Sequence, residues 1–146
     1  MTPSTEFLLH IRRIARFYET LIRPVCEEYG CSQIETDILA FLFNNPEKDT
    51  AKDIVELRML QKGNVSLAVD SLIRNQFLIR NQDDKDRRLF HLSLTDKGIK
   101  AAKSIRKVRS RFQSALLEGF SLEEILLYHK MNQKIFDNAA KYTERT

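Results

Sequence analysis

The chain has 146 residues, 42% hydrophobic and 30% charged, with a formal net charge of +4 and an isoelectric point near 9.1. Those values describe one globular domain large enough to bury a core, and they exclude a disordered chain. No apolar run reaches the roughly 18 residues of a membrane span, and Met1 to Glu6 lack the basic start and apolar block of a signal peptide, so a cytoplasmic protein is expected.

The first predicted helix is capped by Ser4 or Thr5, with Glu6 in its first turn. Phe7, Ile11, Ile14, Tyr18, Leu21 and Val25 then recur in alternating steps of four and three, and Leu8, Ala15 and Ile22 widen the stripe. This is a coiled-coil-like seam. A stripe so wide needs more cover than one small domain offers, which favours an intersubunit helix over one packed on its own domain. Arg12, Arg13, Arg16 and Arg23 read as a solvated face, and Gly30 ends the helix.

Ser32 to Glu35 form a capping box for a second helix, which buries Ile34, Ile38, Leu39, Phe41 and Leu42 and stops at Asn44-Asn45-Pro46. Thr50 opens a short third helix carrying Ile54, Val55 and Leu57. A turn around Arg58 to Gln61 leads to a fourth helix, Lys62 to Asn75, giving a helix-turn-helix.

The fourth helix buries Val65, Ala68, Val69, Leu72 and Ile73. Its opposite face carries Gly63, Leu67, Asp70, Ser71 and Arg74, flanked by Asn64 and Ser66. Alone, this is an ordinary amphipathic helix with a solvated side. The next stretch is more specific: a strand from Phe77 to Asn81, a charged tip from Asp83 to Arg88, and a strand from Leu89 to Leu94 with Phe90, Leu92 and Leu94 on one face. Arg80 to Arg87 include no apolar residue to bury, so the tip is expected in solvent. Adjacent Arg87 and Arg88 suit phosphates or a narrow minor groove. A helix followed at once by a basic hairpin has the shape that reads duplex DNA, the helix in the major groove and the hairpin in a neighbouring minor groove.

Thr95 caps a long helix to about Leu117, with Ile99, Ala102, Ile105, Val108, Phe112 and Leu116 as its apolar line. Most of Lys97, Lys100, Lys103, Arg106, Lys107, Arg109 and Arg111 read as its solvated face. Ser121 to Glu124 form another capping box, and the last helix presents Leu122, Ile125, Leu126, Met131, Ile135 and Ala139.

Two motifs in order carry a resemblance. Asp86-Arg87-Arg88-Leu89-Phe90-His91-Leu92-Ser93-Leu94-Thr95-Asp96-Lys97-Gly98 resembles the wing signature of the MarR family of winged-helix transcription regulators, an Asp-Arg-Arg tip, a strand and Leu-Thr-x-x-Gly. Val65-Ser66-Leu67-Ala68-Val69-Asp70-Ser71-Leu72 resembles the family's recognition helix. The clear match covers about residues 32 to 118. The chain departs from the family at Gly63, where Ser or Thr is frequent, and at Leu67, where a polar residue is frequent. Gly63 offers only its backbone, and Leu67 can touch a thymine methyl but cannot hydrogen-bond a base.

The resemblance implies a mainly α fold with a small β-hairpin. One MarR-like domain, 1–146, would hold a winged helix-turn-helix lobe at 32–95 between dimerisation helices at 1–30 and 96–146. It implies a homodimeric repressor on a pseudo-palindromic double-stranded operator, released by a small molecule. Lys62, Asn64, Ser66, Leu67, Ser71, Arg74, Arg87 and Arg88 are the expected DNA-binding residues. Asp70 and Asp86 are expected to position the wing, Asp70 by pairing with Arg88. Ile14, Phe17, Tyr18 and Phe112 are the candidates for an effector pocket, against their simpler reading as core.

Cys26 and Cys31 match neither a zinc pair nor a thioredoxin-type spacing. Packing thiols are the plain reading; a redox switch is the other, with Cys31 at a helix start where a thiol pKa can fall. His10, His91 and His129 have no carboxylate or cysteine at ligand spacing, and His91 is expected at the surface. There is no glycine-rich phosphate loop, nucleophile elbow or zinc-protease motif, so neither an enzyme nor a bound cofactor is expected. The rival reading is a winged-helix dimer that binds protein rather than DNA, favoured by Gly63 and Leu67.

Overall fold

A computed structural model describes residues 1–143, in six helices and one antiparallel hairpin: α1 Pro3–Tyr29, α2 Gln33–Asn44, α3 Ala51–Arg58, α4 Lys62–Arg74, β1 Leu78–Gln82, β2 Phe90–Leu94, α5 Asp96–Leu116 and α6 Leu122–Thr143. This is the mainly helical winged helix-turn-helix expected. The helix starts follow from local chemistry. Ser32 and Glu35 cap α2 reciprocally, at 3.1 and 3.3 Å, and Thr50 and Asp53 do the same for α3, at 3.2 and 3.1 Å. The cap of α1 is Thr2, whose hydroxyl accepts from the Thr5 amide, and not Ser4 or Thr5. Pro3 explains the earlier start: at the first helical position it has no amide to leave unpaired and its φ is already helical.

The chain divides into two compact units, Met1–Phe112 and Gln113–Thr146. In the first, α2 packs on α1 and α4, α3 packs on α4, and β2 lies beside α2 and α3. Ile22, Ile38, Leu39, Ile54, Val65, Leu72, Phe77, Leu78 and Ile105 are almost wholly enclosed. The N-terminal half of α1 is not part of that core: Phe7, Leu8, Ile11 and Ile14 are exposed. In the second unit, Ser121 and Glu124 close the expected capping box, at 2.9 and 3.1 Å. Phe120 there meets Tyr128 edge-on, while Leu122, Leu126, Met131 and Ile135 are exposed.

The hairpin register pairs Leu78 with Leu94, Arg80 with Leu92 and Gln82 with Phe90. Both strands begin one residue later than expected. The Phe77 amide is committed to the Leu72 carbonyl at the end of α4, and the Leu89 amide to the Asp86 carbonyl in the tip. The Leu-Thr-x-x-Gly stretch acts as a clasp below the hairpin. The Thr95 hydroxyl donates to the Gln76 carbonyl at 2.7 Å and accepts from the Gly98 amide at 3.0 Å, capping α5 while tying it to the turn after α4. Gly98 packs so closely that a Cβ would collide with the Phe77 carbonyl.

Candidate nucleic-acid interface

Burial of Val65, Ala68, Val69 and Leu72 turns the other side of α4 outward. Lys62, Gly63, Asn64, Ser66, Leu67, Asp70 and Arg74 are exposed there, Leu67 at 72%. Gln61 precedes the helix, and no side chain at the cap position accepts from the first amides of α4. Ser71 is the member of the expected set that faces inward. It is half-buried, and its hydroxyl donates to Glu35 Oε2 at 3.1 Å, holding α4 to the capping box of α2.

The wing tip is built on Asp83, whose Oδ2 accepts the amides of Lys85 and Asp86 at 2.9 and 2.8 Å. Gln82 Nε2 donates to the Arg87 carbonyl at 2.7 Å, closing the tip from below. Arg87 and Arg88 are exposed at its end. Farther down, Arg80 lies over the Phe90 ring, 5.0 Å from its centroid. A groove of about 540 Å³ separates the hairpin from α3 and α4, and both Asp70 and Arg88 border it.

The expected pairing of Asp70 with Arg88 does not form. Asp86 takes Arg88 instead, accepting its backbone amide at 3.0 Å and its Nε at 3.4 Å, while the guanidinium side chain is 93% exposed. Two residues of separation in a tight turn hold Asp86 closer than a helix across a groove can. Asp86, and not Asp70, is the carboxylate in contact with Arg88.

The sequence places His91 in the wing strand at the surface, with no carboxylate at metal-ligand spacing. Its ring lies between two carboxylates, Nδ1 at 2.7 Å from Asp49 Oδ1 and Nε2 at 2.7 Å from Asp83 Oδ1. The bonds to Asp49 and Asp83 push its pKa up to about 9. The bond from His91, with the two tip amides, holds the Asp83 carboxyl down at about 2. The signal was present but distributed: a strand histidine with an aspartate in each of two preceding loops, 42 and 8 residues away.

Among the effector candidates, Phe112 contacts Phe17 at 5.6 Å and Tyr18 at 5.2 Å between ring centroids, whereas Ile14 is exposed. Arg109 is not on a solvated face. Its Nε donates to Tyr18 Oη at 3.0 Å and its Nη2 to Asp37 Oδ1 at 2.8 Å. Burial raises the Asp37 pKa against the opposing pull of Arg109 and Arg58. For the cysteines, the shifts run opposite to what the redox alternative needs. Burial, with the Glu35 charge, pushes the Cys31 thiol up to about 11, and burial raises Cys26 as well. Among the described residues no cluster of three metal-ligating side chains occurs, and no helix is long and apolar enough to cross a membrane.

Residues 29–89 match the sequence model of the MarR family. The chain is 33% identical over 99 residues to YkoM of Bacillus subtilis, an uncharacterized helix-turn-helix-type transcriptional regulator. That match covers 67% of this chain and 63% of YkoM, less than two thirds of the relative's length. MhqR of the same organism, also a helix-turn-helix-type transcriptional regulator, is 24% identical over 139 residues, 95% of each chain. A MarR-type protein from Listeria monocytogenes, crystallised with 26mer DNA, superposes with a TM-score of 0.85 at 20% identity, covering 95% of this chain and 94% of that one.

Proposed function

We propose that the chain is a member of the MarR family and, on that premise, a cytoplasmic transcriptional regulator that binds a specific double-stranded DNA operator as a homodimer. One observation carries the reading: a single compact unit presents the exposed polar side of α4 and, across a groove, an arginine-ended hairpin. Lys62, Asn64, Ser66 and Arg74 meet the major groove, and Leu67 reaches a thymine methyl. Arg87 and Arg88 serve phosphates or the minor groove. The Listeria protein, which has the same fold, was crystallised on DNA.

The exposed apolar seam of α1 is a candidate dimer surface and, on the other unit, so is that of α6. Twofold symmetry then sets two copies of α4 about one DNA turn apart, roughly 34 Å, on a pseudo-palindromic site. The regulator acts as a repressor. A small molecule bound near Phe17, Tyr18 and Phe112 releases it by favouring a conformation unable to grip DNA.

The test is a salt titration of binding to random and selected duplexes, with sedimentation to read the assembly. A DNA-binding dimer loses affinity steeply as salt rises and prefers the selected sequence. A monomer, or indifference to duplex at low salt, overturns the reading. The exposure of Leu67 beside Gly63 favours one alternative, a dimer that docks a protein through α4. That alternative predicts no salt-dependent duplex binding at all.

A further inference from the structure

The hairpin has little to hold its outer half. Leu78 and Leu92 anchor its base in the core, but no residue from Arg80 to Arg87 is apolar. Two-stranded hairpins are marginal without a packed face. Beyond Leu89 and Phe90, which border the groove, the tip is held by polar contacts.

Two attachments join the hairpin to the loop ahead of α3. The Leu92 amide donates to the Asp49 carbonyl at 2.8 Å. Next to it, the His91 ring spans Asp49 and Asp83. Both facing atoms are carboxylate oxygens, which only accept. A neutral imidazole has one N–H, and would turn its other nitrogen's lone pair on a carboxylate at 2.7 Å. Satisfying both contacts requires both ring nitrogens to carry protons, so the ring is an imidazolium. Asp49 and Asp83 are the charged groups that face it.

The connection runs on in both directions. Asp49 immediately precedes Thr50, the cap of α3, so it moves with the helix-turn-helix. The second oxygen of Asp83 holds the Lys85 and Asp86 amides, and Asp86 in turn holds Arg88. A continuous series of short polar contacts thus links the start of α3 to Arg88 in the tip.

We infer that His91 is a positioning residue for DNA binding: a doubly bonded cation that fixes the wing to the helix-turn-helix body and sets where Arg87 and Arg88 meet the duplex. The inference rests on the DNA-binding reading above.

The experiment uses the full chain carrying His91→Ala, His91→Gln or His91→Arg. Amide hydrogen exchange is followed without DNA, and binding is measured to a random-sequence duplex at low salt. His91→Ala should speed exchange at Lys85 and Asp86 while leaving α4 and α5 unchanged, and should weaken duplex binding about tenfold. His91→Arg, with donors for both carboxylates, should recover both properties. His91→Gln keeps a polar side chain of similar reach with a single donor group, and stands in for the alanine variant if that one fails to fold; it should show the same losses. In the wild type, the ¹⁵N shifts of His91 should report two protonated nitrogens at neutral pH. Unchanged tip exchange in the alanine or glutamine variant overturns the joint. Altered exchange with unchanged duplex affinity overturns its role in binding. If the wild type ignores duplex altogether, the DNA-binding reading fails and the positioning role with it, while the exchange arm still reports whether the joint exists.

Discussion

Arg109 on α5 donates to Asp37 on α2 at 2.8 Å, through a guanidinium that also reaches the Tyr18 hydroxyl on α1. One side chain therefore ties the aromatic group of Phe17, Tyr18 and Phe112 to the helix-turn-helix, and Arg58 approaches Asp37 from the end of α3 at 4.0 Å. Removing Arg109 leaves a largely buried carboxylate with one distant cation. Arg109→Ala should destabilise the fold by about 2 kcal/mol in urea unfolding, since hydrogen bonds to charged groups are the costly ones to lose. Arg109→Ala in an Asp37→Asn background should cost clearly less, because no stranded charge remains. Equal costs in the two backgrounds would show that the pair is not coupled.

Gly98 and Phe77 make a second close relationship, set by backbone. A methyl at position 98 has no room beside the Phe77 carbonyl, and an obstacle made of main chain cannot swing away. Gly98→Ala should cost about 1–3 kcal/mol, in the range of overpacked cores. The same displacement loosens the clasp at Thr95, so hydrogen exchange should rise at the Gln76 to Leu78 turn. A thermal melt within a degree of wild type would refute this.

The pH dependence of the hairpin follows from His91 and Asp83. The folded-state pKa of His91 is raised from 6.5 to about 9, so its contribution is fully present below pH 6.5 and is lost as pH climbs through 9. Asp83 is shifted the other way, from 3.8 to about 2; its contribution is present above 3.8 and disappears as pH falls through 2. Between pH 6.5 and 9 the folded protein therefore binds more protons than the unfolded chain, and stability falls as pH rises. The difference in melting temperature between wild type and His91→Gln should shrink steadily across that window. A difference independent of pH would mean that the ring acts by shape alone.

Much of this was legible because it is written locally. A capping box lies within four residues, as at Ser32 and Glu35, and an apolar stripe such as Val65, Ala68, Val69 and Leu72 repeats within one helix. The wing signature also spans only a short segment, and its Thr95 and Gly98 have the close packing that such a motif requires. What stayed hidden was pairing at a distance. Asp49 and His91 are 42 residues apart, and Asp37 and Arg109 are 72. Charge and exposure patterns along the chain cannot distinguish a solvated arginine from one that bridges two helices. The expected bond between Asp70 and Arg88 failed for the converse reason: Asp86 lay two residues away and took the partner first.

Asp70 consequently has a different predicted effect from Asp86. Asp70→Asn should leave tip exchange unchanged and strengthen duplex binding, by removing an exposed negative charge beside the proposed DNA surface. Asp86→Asn should loosen the tip, because Asp86 holds both the amide and the Nε of Arg88. Replacing Arg87 and Arg88 together by alanine should weaken binding and flatten the salt dependence by about 0.9 in log–log slope for each phosphate no longer neutralised. A slope identical to wild type would remove the wing from the interface.

The cysteines supply the last prediction. A thiol attacks as thiolate, and Cys31 is buried with its pKa pushed up to about 11, while burial raises Cys26 too. At pH 8 the native protein should therefore react with iodoacetamide far more slowly than a free thiol such as glutathione, and at full speed only in denaturant. Oxidant response of DNA binding should be the same for wild type and for Cys26→Ser, Cys31→Ser, because low thiolate content also slows the first step of oxidation. Rapid modification of the folded protein would show that the helix start at Cys31 opens readily enough to overcome its burial, and would return the thiols to consideration as the sensing element.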